Sequence, residues 1–539
     1  MAQVGPVHWA GQLNHEAFGG IMSSIIPSML AFIHLYFDYF LDFLYGLYYN
    51  SKKKIVSASK DPILELSATE MARKIREGEL KSEEVVLAHI NRIKEVNGLL
   101  NAVIDERFDA ALEEARRVDE NIAKGVYAGR DFKQKIFLGV PFTTKGTTVC
   151  KGLDVSFGLV PRKGMKGTED AKVVENMKNS GAILLALTNV PQLSIWSEAH
   201  NPVFGITNNP YDTTRNVGGS SGGECSIIAA CGSAIGIGTD IGGSIRIPAY
   251  MCGLFGHKCS PTVTPTKGLT FRNGSEQDRT MVVAGPISRY CEDLIPGLKA
   301  ILGADACRSL QLDKKVDIAK LKYYFIEEMP SLLISPVRSD VMKSFRSVVE
   351  HFRKMTGKAQ ELEIEELAYT ARLYTKALAN EGNDFSYDVT NKKYRAVWYR
   401  ELFKYIFRCS NLSFSSVMVL INAQVLRKAT SEWFEENTEK IKSELLSKLG
   451  NDGVLFFVSQ PTTAHYHHLS YLRPYNLLYF SLFNLLKFPV TQVPLGLSHD
   501  GLPLGVQVVS APFNDHLCLA VAQELESVFG GYVPPNSQA

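Results

Sequence analysis

The sequence predicts an α/β protein, a mixed or parallel β-sheet sandwiched by α-helices, with a hydrophobic helix placed before it. Three observations carry this. From residue 62 onward, short apolar runs of strand length alternate with stretches of helical periodicity, the pattern of a mixed or parallel sheet sandwiched by helices. Apolar residues make up 45% of the 539 and charged residues 21%, a globular composition with material for a large core. Residues 21–49 are mostly aliphatic and aromatic, and the first fifty residues hold no Lys or Arg before Lys52, Lys53 and Lys54.

The apolar run is long enough to span a bilayer. A cleaved secretory signal would need a basic start and a small-residue cleavage site, and neither is evident, so the segment is expected to be retained. His34, Asp38 and Asp42 recur every four residues and therefore share one helical face. Such groups are costly in hydrocarbon. They suit a helix–helix contact, a helix lying in the membrane interface, or an amphipathic helix packed on the protein body. Membrane association is the expectation, with the lysines on the C-terminal side placing the main body in the cytosol.

Ser67 and Glu70 form a capping-box pattern for a helix ending near Glu79, and Ser82 is placed to cap the next, whose Val85, Val86, His89, Ile90 and Ile93 share a face. IFLGVPFTT reads as a buried strand ended by Pro141 and followed by Lys145. A helix near Ala171–Asn179, a strand at AILLALT, a helix near Cys225–Ala230 and a strand at SAIGIGTD follow. Residues 340–450 look largely helical, and the C-terminal region returns to strands. No repeat or linker divides the chain. Residues 1–60 are expected to form an anchor segment and residues 61–539 one catalytic domain.

Lys plus Arg is 58 against 56 for Asp plus Glu, too even a balance for a nucleic-acid binder. The nine cysteines are scattered without CxxC spacing, which argues against a disulfide framework or structural zinc.

The densest chemical signal is residues 216–258, where two Gly-Gly-Ser segments supply Ser220 and Ser244. Glycines let consecutive N–H groups converge on one ligand atom, as an oxyanion hole requires, and Ile241, Gly242, Gly243 and Ser244 are the candidates. A phosphate loop is a rival, but no GK[ST] follows and no complete GxGxxG is present. Gly218, Ser220 and Gly222 satisfy GxSxG, yet the turn-like NNPYDTTRNVG replaces the strand a nucleophile elbow needs.

Lys145 after an apolar strand, Ser220 in GGSSGG and Ser244 in DIGGSIR together resemble the amidase signature family. TNVPQ (188–192), NPVFGITNNP (201–210), Glu224 and GLPLGVQVVSAPFNDHL resemble its fatty-acid amide hydrolase subgroup. The resemblance covers about residues 65–535 and implies the amidase signature fold, a large twisted mixed β-sheet core covered by α-helices. It also implies a Ser-Ser-Lys triad of Lys145, Ser220 and Ser244, and an acyl pocket lined by Ser194 and Trp196. The implied activity is a membrane-associated serine hydrolase that cleaves fatty-acid amides through an acyl-enzyme. Two departures stand out. Gly146 follows the lysine where the family usually has Asp or Glu, and Lys487 stands where glycine is commoner.

Chemically, a serine hydroxyl needs a base within hydrogen-bond reach, and a lysine serves only when neutral, which asks for a pKa brought down from about 10.4 toward 7. Ser220 can relay because a hydroxyl donates and accepts at once. Asp240 and Arg246 flank Ser244 and are expected to pair and brace its loop. The HYHH run (His465, His467, His468) lacks a nearby acid or cysteine in sequence, so a rim or surface loop is expected and no metal is assigned. Trp398, Tyr399, Phe403, Tyr405, Ile406 and Phe407 alternate with Arg395, Arg400, Lys404 and Arg408. That helix suits either ordinary packing with snorkelling basic groups or a cap dipping into lipid headgroups.

The expected partners are a lipid amide substrate and a membrane, with homodimerisation open and neither nucleic acid nor cofactor implied. Two alternatives remain: a glutamine amidotransferase-type subunit, and a catalytically inactive, membrane-tethered lipid-binding homologue.

Overall fold

The structure is a computed structural model that describes residues 22–127, 134–382, 384–425 and 429–537. Residues 1–21 of the expected anchor segment lie outside it. Eleven strands form one mixed sheet: β1 (Val103–Glu106), β2 (Pro141–Lys145), β3 (Ile183–Thr188), β6 (Ile235–Asp240), β7 (Phe255–Lys258), β8 (Val283–Ser288), β9 (Lys322–Ile326), β10 (Ala359–Glu361), β11 (Gly453–Val458), β12 (Val490–Leu497) and β13 (Pro503–Ser510). Their spatial order is β1-β3-β2-β6-β8-β7-β12-β13-β11-β9-β10. Two short strands, β4 (His200–Asn201) and β5 (Gly205–Ile206), pair separately. The central strands β2, β3, β8 and β11 are buried along their whole length, as a sheet with helices on both faces requires.

The strand before Lys145 begins at Pro141; it does not end there, and residues 136–139 form a turn. Proline is tolerated at the first position of a strand because no ladder bond is asked of it. Ser67 does cap α2 (Ala68–Glu77), its hydroxyl accepting the Glu70 N–H at 2.9 Å. Ser82 does not cap α3 (Ser82–Leu100). Its own hydroxyl donates to Gly139 O, while Asp119 of α4 (Phe108–Ala123) accepts the N–H groups of Ser82 and Glu83 at 2.7 and 3.0 Å. A carboxylate at a helix start also complements the dipole, so the distant residue is the better cap. Lys487 lies at φ +62°, just past the helix Leu478–Leu485, a left-handed conformation that accounts for the preference for glycine at this position.

The helix α1 (Met22–Tyr49) includes the one described helix that is long and apolar enough to cross a membrane. Its acidic face meets the body: Asp38 and Leu41 are buried, whereas Phe32, Ile33, Phe37, Phe40, Phe43 and Leu47 point outward and are exposed. A second exposed apolar face lies on the helix Trp398–Ile406. There Trp398 and Leu402 pack on a small core of Val155, Phe157, Leu159 and Leu193, while Tyr399, Phe403, Ile406 and the following Phe407 are 54–65% exposed. Ordinary packing with snorkelling basic groups would have turned those aromatic side chains inward.

Candidate active site

The strands β2 and β6 are parallel neighbours, with Thr144 opposite Ile237, so their C-terminal ends lie side by side. In an open α/β sheet this carboxyl edge is where ligands settle. β2 ends at Lys145, and β6 ends at Asp240, immediately before the Gly-Gly-Ser turn that carries Ser244 into the helix Arg246–Met251. Ser220 arrives from the loop before the helix Gly222–Ala229. Lys145 Nζ lies 3.0 Å from Ser220 Oγ and 2.8 Å from Thr239 Oγ1, the latter on the neighbouring strand. Ser244 is tied to the same loop through its carbonyl, which accepts the Ser221 N–H at 3.1 Å. Among the described residues no hydrogen bond joins the Ser220 and Ser244 hydroxyls.

Lys145 is fully buried, and that burial brings its amine down from 10.5 to about 7. Gly146 contributes space. Its N–H donates to Thr188 O at 2.8 Å, and a Cβ there would fall 2.8 Å from that oxygen and 2.9 Å from Ile104 Cδ1. An acidic side chain at this position would have to displace the neighbouring strand.

Asp240 and Arg246 pair inside the protein, with Arg246 Nε donating to Asp240 Oδ2 at 3.1 Å. Burial alone would raise the Asp240 carboxyl, but the adjoining guanidinium outweighs it and holds the group at about 2. Arg246 also donates to Gln507 and Asn484, and Asn484 returns a bond to Asp240, so the loop hangs from a fully satisfied buried network. One expected oxyanion donor is already used: the Gly243 N–H is given to Asp240 Oδ1 at 2.7 Å. Tyr374, from the helical region, packs where a Gly242 Cβ would stand and donates to Ile241 O at 3.3 Å.

Glu224 sits beneath Lys145. Its carboxyl accepts bonds from Thr143 Oγ1 and, at 2.8 Å, Thr188 Oγ1, and burial raises it to about 8. A neutral acid here adds no second anion to Asp240, whose charge already favours the ammonium form of the lysine. Glu224→Gln should therefore preserve the acidic limb of kcat/KM against pH, with a loss well below the roughly hundredfold scale of acid–base assistance. A hundredfold loss across the whole pH range would show instead that the carboxyl proton takes part.

Of the two expected pocket residues, Ser194 lies near Lys145 through a hydroxyl contact, and Trp196 approaches the Ser220 loop through its backbone carbonyl. Ser194 Oγ lies 2.9 Å from Thr147 Oγ1, two residues past Lys145, and a Cβ on Gly219 would fall 2.5 Å from Trp196 O. The HYHH segment is not a surface loop. His465 and His467 are buried, and His467 Nδ1 lies 3.1 Å from the buried carboxylate of Glu198. Burial would raise Glu198, but His467 and the His468 N–H together hold it at about 2. Among the described residues no group of three or more His, Cys, Asp or Glu is arranged to hold a metal ion. Thr239, Tyr374, Asn484, Gln507 and Glu198 were not singled out in the sequence. The acid in the otherwise apolar GGECSIIAA helix was the visible signal for a buried polar site.

Compared with known proteins, residues 84–519 match the Amidase family. The chain is 40% identical over 533 residues to human fatty-acid amide hydrolase 2, which spans 95% of this chain and 99% of that protein. It is 41% identical over 487 residues to fatty-acid amide hydrolase 2-A of Danio rerio, covering 88% and 91%. Among solved structures, one fatty acid amide hydrolase superposes with a TM-score of 0.71 at 22% identity, covering 87% of this chain and 86% of that one, a likeness of fold.

Proposed function

The chain belongs to the amidase family, and from that premise we propose that it is a membrane-associated serine hydrolase that cleaves fatty-acid amides to fatty acid and amine. The observation that carries this reading is the buried Lys145 amine, held at about 7 and 3.0 Å from Ser220 Oγ, beside the turn of Ser244. At neutral pH the amine can accept the Ser220 proton while Ser220 Oγ takes the proton of Ser244. The Ser244 oxygen then bonds to the amide carbon, and the carbonyl π pair moves to oxygen, facing the N–H groups of Ile241, Gly242 and Ser244. When that pair returns, the C–N bond breaks, and the proton travels back from Lys145 through Ser220 to the departing nitrogen. Water attacks the acyl-enzyme with the same relay as its base, freeing the fatty acid and restoring Ser244.

The long-chain amide preference rests on the two relatives named fatty-acid amide hydrolase and on the apolar faces of α1 and the helix Trp398–Ile406. Residues 1–60 act in this reading as the anchor, 61–539 as the catalytic body, and Lys52–Lys54 favour a cytosolic body. Full-length protein offered long-chain amides, matched esters and glutamine should hydrolyse the long-chain amides with the highest kcat/KM. A preference for glutamine or for short polar amides would overturn the substrate assignment, and a chain wholly soluble in low salt without detergent would overturn the membrane assignment.

A further inference from the structure

The polar face of α1 is engaged with a specific part of the body. Arg473, almost fully buried, donates through Nε to Asp38 Oδ1 at 2.9 Å, through Nη2 to Asp38 O at 2.8 Å and through Nη1 to Asp42 Oδ1 at 3.1 Å. Arg338 pairs with Asp42 from the other side. Two turns further along, Tyr49 stacks on Tyr466 with ring centroids 5.6 Å apart, and the Tyr466 hydroxyl donates to Asn50 Oδ1 at 2.6 Å.

The segment 465–473 gripped in this way also forms a wall beside the site. Ser470 Oγ accepts the Trp196 indole N–H at 3.1 Å and donates to Glu198 Oε2 at 3.1 Å, and Glu198 also accepts from His467 and the His468 amide. Tyr471 packs on Trp196 with centroids 5.5 Å apart and on Phe414 at 4.9 Å. Glu198 N and Trp196 O both press against Gly219, the residue before Ser220. A continuous chain of contacts therefore runs from two carboxylates of α1 to the aromatic pair beside the loop of Ser220.

We propose that α1 positions this wall: by holding Arg473, Asp38 and Asp42 fix the segment 465–473 and with it Trp196 and Tyr471, so that a long acyl chain is seated productively only while the helix is docked. The inference rests on the fatty-amide reading above. A guanidinium buried without its carboxylates is an uncompensated charge, so release of the helix obliges Arg473 to move toward water and carries Tyr471 with it. Asp38 and Asp42 are thus positioning residues, remote from the reacting atoms.

The test uses full-length protein in detergent micelles, which removes membrane partition as a variable. A long-chain primary amide and a short-chain anilide are compared in wild type, Asp38→Asn/Asp42→Asn and Asp38→Glu. The double variant should raise KM for the long-chain amide on the order of tenfold with little change in kcat, the pattern of lost substrate binding. It should leave the anilide unchanged, and Asp38→Glu should restore wild-type behaviour. If the double variant does not fold, Asp42→Asn alone is read by the same ratio, with a smaller rise expected. An unchanged long-to-short ratio, or an equal loss on both substrates, overturns the proposal. The wild-type ratio reports separately on the fatty-amide reading, which fails if the wild type shows no long-chain preference.

Discussion

Ser244→Ala should abolish both amide turnover and covalent labelling by a serine-directed fluorophosphonate, while the protein remains folded. Ser244 follows the glycine pair after β6, is 8% exposed and offers its carbonyl, not its hydroxyl, to the surrounding loop. Removing that hydroxyl leaves the Asp240–Arg246 network and the Ser221 bond in place, so the change in stability stays near the ~1 kcal/mol of a single hydrogen bond. Its effect on chemistry is far larger, on the order of 10⁴-fold or more in kcat, because no other group supplies the acyl-accepting oxygen. Labelling followed by peptide mapping decides the matter. A modified Ser220 would give the nucleophile to the serine within hydrogen-bond reach of Lys145 and make Ser244 a neighbour only.

Lys145→Ala should depress amide hydrolysis by about a hundredfold or more and ester hydrolysis by less. Both substrates need Ser244 deprotonated, but an amine cannot leave without a proton, whereas an alkoxide needs less help. The pH dependence separates this role from a structural one. The active form of Lys145 is the free amine, so activity should fall as pH drops through about 7, where the buried group takes up its proton. In Lys145→Ala that limb should vanish. The measurement is kcat/KM for a matched amide and ester across pH; an unchanged amide-to-ester ratio together with a retained limb would remove Lys145 from the proton path.

Much of this was legible in the sequence because the chemistry is concentrated in contiguous glycine-rich turns. The alternation around β2, β3 and β6, the pairing of Asp240 with Arg246 and the need for a desolvated lysine all follow from local pattern and charge. Contacts between distant segments were not legible. His465 and His467 read as part of a rim or surface loop because Glu198, which hydrogen-bonds one of them, is 269 residues away from it. Ser82 looked like a cap because Asp119 enters from another helix. The strand boundary at Pro141 was missed because the apolar run IFLGV is itself a largely buried turn, and burial alone does not distinguish turn from strand. Asp38 and Asp42 could be placed on one face by spacing, but only the fold supplies Arg473 opposite them.

The acid beneath the lysine has a consequence for proton inventory. Unfolded, Glu224 and Lys145 hold one proton between them from about pH 4.5 to 10.5, and it resides on the amine. Folded, they hold two protons below about 7 and none above about 8. Stability rises with pH only where the unfolded chain binds more protons. The pair's contribution therefore declines from about pH 4.5 to 7 and recovers from about 8 to 10.5. Its minimum begins where the amine first becomes free to act, at about 7, so the reactive ionisation state is reached where the pair stabilises the fold least.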